Sequence, residues 1–429
     1  MSAAGPAQRE APGPGARRWA LAALLLALLP LGLDSGLSLT LLTQFGIAAI
    51  ACLSYNLLLG QGGMLSFGHA VYSGLGAYLA IHALAAVNRG ALVLPVSLVP
   101  LVGGLAGLGC ALVLGFLACR RAGTVFAMIT LGLGELVAAI ALMLPGVFGG
   151  ESGVSANRVT GAAWAGIDFA SARQLYYLVA AYALASTLAL HALTTTPLGR
   201  MLNAVRDNPQ RVAYIGYDPQ RVRHIAFVIS GFFAGVAGGL AALSFEFVGP
   251  EALGAPRSGA YLVFTVLGGT GFFFGPVVGA ALMVLAQSLF STWSRAWLLY
   301  LGLIFLVTVL LAPGGLSGLL AAGLRLARGP WWRMLPVLPG LAAGAAACGA
   351  GAAALVEMLY HQRLDAALGP QLQFLGWALD VSRTAHWLAA AGLVLAGAGM
   401  LRLVAPAARR RQAEILQSLD DAAPAQGAR

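Results

Sequence analysis

Few side chains in this sequence of 429 residues are suited to covalent chemistry. Its 25 Lys/Arg positions are all arginine. A phosphate-binding loop of the GxxxxGK(S/T) type needs a lysine, and so does Schiff-base catalysis, so both are excluded. No HExxH, GxSxG or GxGxxG pattern occurs. Cys52, Cys110, Cys119 and Cys348 lie in or beside apolar runs without CxxC spacing. They read as small buried hydrophobes, so no disulfide framework, metal or cofactor is expected. His82, His191 and His224 fall near the ends of apolar runs, whereas Asn56 and Glu135 fall inside them. An ionisable group inside such a run is a functional candidate by default. For Glu135 the alternative is a structural tie between helices.

Two glycine clusters interrupt the apolar pattern, Gly60-Gln61-Gly62-Gly63 and Gly268-Gly269-Thr270-Gly271. Broken helices survive in hydrocarbon only where the freed backbone is buried in protein or lines a wet cavity. Paired breaks in two halves of a chain point to a solute path. Gln61, Ser66, His69, Tyr72, Ser73, Glu135 and Thr270 are therefore the candidates to line a translocation route. The other reading is that the glycines only permit close helix crossing.

The surrounding elements follow from composition. Hydrophobic residues make up 59% and charged residues 9%, against about 25% charged in a soluble domain. Lipid must be the solvent for much of the chain. Twelve apolar segments are expected as helices: 19–33, 39–59, 69–87, 91–119, 124–147, 174–194, 224–248, 258–272, 275–292, 296–313, 335–356 and 385–404. The fold class is thus all-α, a polytopic membrane bundle of about 10–12 spans with glycine-broken helices. Segment 258–272 is short enough to be a half-helix. Residues 1–18 read as a disordered cytoplasmic N-terminus. The run after Arg17-Arg18 resembles a signal peptide, but Asp34-Ser35-Gly36 offers no small-residue cleavage site, which favours an uncleaved first span. The net charge of +10 reflects arginines on cytoplasmic loops rather than nucleic-acid binding. On that rule 196–223 is cytoplasmic and 148–173 faces outward.

Residues 196–223 form a polar island in this greasy chain, with five arginines and three prolines. Asn208-Pro209 and Asp218-Pro219 each pair a capping side chain with a proline at the first helical position. Gly216 fits a left-handed C-terminal cap. The island therefore reads as a rigid elbow: a helix over 198–207, a second over 209–215, and a third opening at Pro219. Such an element suits docking of a soluble partner.

The segment TPLGRMLNAVRDNPQRVAYIGYDPQRVRHIAFVISGFFAGVAGGLAAL (196–243) closely resembles the cytoplasmic coupling loop of bacterial ABC importer permeases, specifically the branched-chain amino acid, LivM-type family. YNLLLGQGGMLSFGHAVYSGLGAYLA (55–80) and GAPRSGAYLVFTVLGGTGFFFGPVVGAALMVL (254–285) are similar to its two glycine-rich signatures. The resemblance covers about 19–320, with 321–429 as an extension carrying two extra spans, an amphipathic outward loop and a cytoplasmic tail. It implies a multi-pass permease of the bacterial inner membrane that is not itself an enzyme. It implies partners: two cytoplasmic ATPase subunits, a sister permease and a periplasmic solute-binding protein. Gly199, Arg200, Ala204, Arg206, Asn208, Ala213 and Gly216 match the ATPase-coupling positions. The solute would be a branched-chain or other hydrophobic amino acid. Urea, short amides and small carboxylates are carried within the same family. An ion-coupled secondary transporter would need charged relays, for which only Glu135 qualifies, and a membrane enzyme would need catalytic clusters that do not occur.

Overall fold

Apolar runs become helices here because hydrocarbon offers no partner to a backbone N–H or C=O, so each must be bonded within its own segment. The computed structural model describes residues 14–159, 169–294, 296–312, 314–364, 370–374 and 377–422. The chain divides into two compact units, Met1–Val284 and Leu285–Arg429.

The first unit opens with α1 (Pro14–Gly32) and α2 (Gly36–Asn56), which runs into a π-helical turn, Leu57–Gln61. Then come α3 (Ala70–Asn88), α4 (Val99–Ala118), α5 (Thr124–Met143) and the short α6 (Pro145–Phe148). Strand β1 (Val154–Ser155) precedes α7 (Ala172–Thr195), α8 (Pro197–Asp207), α9 (Pro209–Tyr214) and α10 (Pro219–Phe245). Strand β2 (Phe247–Val248), α11 (Ala255–Gly268) and α12 (Gly275–Leu285) complete it. Helix α10 is the axis, packed along α4, α3 and α2. It comes close to its neighbours because glycines meet glycines. Gly231 and Gly235 of α10 lie on the backbone of Gly103 and Gly107 in α4, and Gly76 of α3 also abuts Gly235. Below this crossing the core is aromatic, with Phe227 edge-on to Tyr72 and Phe126 at 5.2 and 5.9 Å.

The outer end is pinned by a few polar bonds. β1 and β2 pair antiparallel, Val154 opposite Val248 and Ser155 opposite Phe247. Glu246 ends α10 in a left-handed conformation, φ 54°. Its carboxylate accepts the Arg158 N–H at 2.8 Å, and the Arg158 guanidinium donates to the carbonyls of Phe169, Leu243 and Ser244. This places 148–159 beside the end of α10 remote from α8 and α9, as expected if 148–173 and the island face opposite sides. Residues 160–168 of that loop lie outside the described residues.

The second unit contains α13 (Ser291–Trp293), α14 (Trp297–Leu311), α15 (Gly315–Arg328), α16 (Leu338–Leu364), strands β3 (Gln371–Phe374) and β4 (Trp377–Asp380), and α17 (Thr384–Ala422). Glu357 in α16 accepts the hydroxyls of Ser294 and Tyr300 at 2.5 and 2.9 Å. That accounts for an acid inside an apolar helix. Where the sequence suggests an amphipathic loop between the last two long helices, the chain makes a hairpin, Gln371 opposite Asp380. Bonds from the Ser382 hydroxyl and N–H hold the Asp380 carboxyl below its usual range. Helix α15 is not anticipated by the apolar pattern, and α17 continues through Arg409–Arg411 where a tail is expected.

All twelve apolar segments are helical. Eight of the described helices are long and apolar enough to cross a bilayer, and the bent pair Trp297–Leu310 and Gly315–Ala327 makes a ninth. Helices Trp19–Gly32 and Gly275–Phe290 are shorter. At 14 residues α11 spans only about 21 Å, so it is a half-helix. The expected disordered stretch 1–18 lies outside the described residues up to 13, and α1 already covers 14–18.

Candidate functional site

The island forms the elbow its caps predict. The Thr196 hydroxyl accepts the Gly199 N–H, the Asn208 side chain accepts the Arg211 N–H at 2.9 Å, and the Asp218 carboxylate accepts the Gln220 N–H at 2.9 Å. Each capping residue is followed by proline at the first helical position, where a missing N–H costs nothing. At the end of α9 the Tyr217 N–H reaches the Val212 carbonyl and the Gly216 N–H reaches Ala213. These two bonds are a Schellman motif. Gly216 sits at φ +89°, with nothing within 4 Å of a Cβ added there. Only backbone strain therefore opposes a side chain. Gly216→Val should cost about 1 kcal/mol or more, and α9 amide exchange should quicken about fivefold. Gly216→Asn, which tolerates this conformation, should not change it. Equal exchange in all three proteins would remove the requirement for glycine.

Helix α8 is amphipathic, with Gly199, Leu202 and Val205 buried. Gly199 abuts the last turn of α7. The outer side of α8 bonds elsewhere. The Arg206 guanidinium donates to the Gly60 carbonyl at 2.5 Å and to Asp207 at 3.0 Å. The Asn203 amide donates to Gln61 Oε1 at 3.0 Å. The elbow is thus tied to the first glycine break, at the π-helical turn. A Cβ on Gly60 would lie 2.7 Å from the Thr270 carbonyl, so the two breaks touch each other. Arg200, Ala213 and Gly216 are exposed, as are Tyr214 (89%), Ile215 (63%) and Tyr217 at the elbow's tip. Ala204 is partly buried.

Between the first break and α3 the backbone is not helical, and three of its polar groups are satisfied by side chains from three helices. Tyr55 of α2 donates to the Ser66 carbonyl at 2.8 Å. The Phe67 N–H donates to Thr130 Oγ1 of α5 at 3.2 Å. The Ala70 N–H donates to Ser258 Oγ of α11 at 2.9 Å. This explains how a break persists at membrane depth. Ser54 gives its single proton to the Ala51 carbonyl, so it accepts from His69 Nε2 at 3.0 Å. His69 is therefore the Nε2–H tautomer if neutral. Asn56 Oδ1, Ser66 Oγ and His69 Nδ1 are buried with no partner among the described residues.

The residues expected along a polar route gather only in part: the His69 ring is edge-on to Tyr72 and Tyr261, and Ser73 lies 3.5 Å from the Tyr261 hydroxyl. Gln61 joins the elbow, and Thr270 presents its carbonyl to Gly60. Ser66 and His69 are fully buried behind the break, and Tyr72 is in the aromatic core. Glu135, midway along α5, turns outward with Met128 and Leu136. Ser73 alone lines a cavity of about 330 Å³, enclosed by α3, α10, the β2 connection and the start of α11. Glu251, Arg257 and Tyr261 line the same cavity. None of these three was singled out by the sequence pattern. The available signal was an arginine immediately before the short apolar segment 258–272, at Arg257. Asn203 was missed as well, because nothing local marks its bond to Gln61.

Residues 37–313 match the family described as branched-chain amino acid transport system / permease component. The chain is 28% identical over 315 residues to the high-affinity branched-chain amino acid transport system permease protein LivM of Salmonella typhimurium, covering 68% of this chain and 72% of that protein. It is 28% identical over 306 residues to LivM of Escherichia coli, covering 66% and 70%. A probable branched-chain amino acid transport permease protein LivH of Methanocaldococcus jannaschii is 29% identical over 140 residues, covering 29% of this chain and 42% of that one. No solved structure matches the chain.

Proposed function

The chain belongs to the permease-component family of branched-chain amino acid transport systems, and on that premise we propose that it moves branched-chain or other hydrophobic amino acids inward across a bacterial inner membrane. It is a multi-pass membrane permease subunit, so its partners supply the energy. In this reading a periplasmic binding protein delivers the solute, a sister permease completes the pathway, and two cytoplasmic ATPase subunits dock on the elbow. The domain organisation is a permease portion over about 19–320 and a C-terminal extension of lateral or periplasmic contact.

One observation carries the reading: the capped elbow is bonded through Arg206 and Asn203 to the first glycine break. An ATPase that shifts the elbow would therefore shift the break, with no nucleotide bound by this chain. The exposed Tyr214, Ile215 and Tyr217 suit a protein partner better than water. Glu135 would face the sister permease or a wet seam, because an ionised carboxylate against lipid costs about 2.5 kcal/mol or more.

The purified full chain should show no saturable ATP binding, and it should co-purify with the two ATPase subunits when all are produced together. Vesicles holding the complete assembly should take up radiolabelled leucine only with ATP inside the compartment facing the elbow. Uptake without ATP, or saturable nucleotide binding by the chain alone, would overturn the assignment.

A further inference from the structure

The structure assigns a solute-binding site to the cavity beside Arg257: we propose that it holds the zwitterion of an α-amino acid, carboxylate on Arg257 and ammonium toward Glu251. The inference rests on the permease reading above and adds the place and chemistry of recognition.

At about 330 Å³ the cavity is within the range of roughly 300–1,000 Å³ typical of small-molecule sites. Its walls are small and apolar where Ala77, Ala241, Ala242 and Val248 line it. It also contains two opposite charges, Arg257 and Glu251, that attract each other without an ion-pair contact. Arg257 Nε donates to the Tyr261 hydroxyl at 3.2 Å, and the guanidinium carbon lies 5.8 Å from that ring's centroid. Among the described residues no ion pair joins Arg257 to an acid. The Nη donors of the fork, the part that grips a carboxylate through two parallel bonds, have no described partner. Glu251 folds over Gly249, where an added Cβ would lie 2.5 Å from its Oε2. Its carboxylate is exposed and lines the same cavity.

The half-helix strengthens the anion side. α11 begins at Ala255, so Arg257 lies in its first turn, where unbonded N–H groups and the helix dipole favour negative charge. Interrupted helices in transporters direct such N-termini at anionic solute groups. The Ala70 N–H bond to Ser258 and the Thr265 bond to the Cys52 carbonyl fix α11 against α3 and α2. The N-terminus is thereby held in place before any solute arrives. An α-amino acid with a short aliphatic side chain would match the guanidinium, the carboxylate and the apolar wall together. Urea would match neither charge, and a plain carboxylate would leave Glu251 unmatched.

The test uses the full chain in lipid nanodiscs and an arginine-selective dicarbonyl reagent. Modification of Arg257 is quantified by peptide mass spectrometry, with exposed Arg221 as the internal reference. Millimolar leucine and 4-methylpentanoate should protect Arg257, leucine the better; leucinamide and urea should not. Protection by neither carboxylate would overturn the proposal. In the assembled transporter, Arg257→Gln should cut radiolabelled leucine uptake roughly tenfold to a hundredfold, and Arg257→Lys should lie between. Both should still co-purify with the ATPase subunits, which separates a lost site from a lost fold. Normal uptake by Arg257→Gln would overturn this site and leave the permease reading standing. If the wild-type assembly takes up no leucine, the amino acid reading falls, and the protection measurements still decide whether the cavity takes a carboxylate.

Discussion

Replacing Arg206 with methionine is expected to lower leucine uptake by the assembled transporter about tenfold, while the ATPase subunits remain bound and continue to hydrolyse ATP. Methionine keeps the unbranched stem that covers Gly63, whose added Cβ would fall 2.7 Å from Arg206 Cγ. What is lost is the charged bond to the Gly60 carbonyl, along with an exposed ion pair to Asp207 that contributes little. Hydrogen bonds from charged groups contribute about 1.5–3 kcal/mol, and a side chain that is 40% exposed belongs at the lower end of that range. About 1.4 kcal/mol corresponds to a factor of ten. The loss should appear as a fall in solute moved per ATP hydrolysed. Adding Asn203→Leu, which removes the second tie, should deepen it. If both variants keep the wild-type ratio, force reaches the membrane by another route and the contact between α8 and the break is only packing.

A larger effect is expected at the helix crossing. Gly235→Leu should leave little monodisperse protein recoverable from the membrane. A Cβ there already collides with the Gly103 carbonyl and lies 3.1 Å from Gly104 Cα. These are backbone atoms that can yield only if α4 and α10 separate. Overpacking typically costs about 1–3 kcal/mol and sometimes more, and here the whole crossing would open. Gly109 of the same α4 has nothing within 4 Å, so Gly109→Leu is the matched control and should be recovered normally. Equal yield and thermal stability for the two leucine variants would show that the crossing is not tight.

These two sites differ in how far the sequence reveals them. The elbow was legible residue by residue, since a cap involves neighbours only two or three positions apart: Asn208 with Arg211, Asp218 with Gln220. The spans were legible because hydrocarbon length and lack of charge are properties of a segment by itself. The glycine breaks were visible as interruptions, but their meeting was not. Gly60 and Thr270 are far apart in the chain, and a single sequence carries no signal for such a pair. The same holds for Asn203 with Gln61. Ser66, His69 and Tyr72 looked like a polar lining because they cluster along the chain, yet the fold buries all three, with the His69 ring edge-on to Tyr55 and Tyr72. Arg257 was hidden inside a motif whose glycines drew the attention, and only the fold brings it to Glu251. Helix α15 was missed because its leucines are spaced for a surface, not massed for a span.

Helix α10 reaches from the elbow to the cavity without interruption. Its 27 residues make a rod of about 40 Å. At the crossing by Gly235 backbone lies against backbone, with Phe232 and Val236 packed on Gly104, so any tilt of the rod would turn about that point. From there the arm to Pro219 is about 24 Å and the arm to Phe245 about 15 Å. A tilt of about 5° would carry the elbow end some 2 Å and the cavity end about 1.3 Å on those lengths. A rod tilting about that point would be a reducing lever. If partner ATPases drive the elbow as proposed, it would convert a longer stroke there into a shorter displacement, delivered with proportionately greater force, at Ala241, Ala242 and Phe245 in the cavity wall.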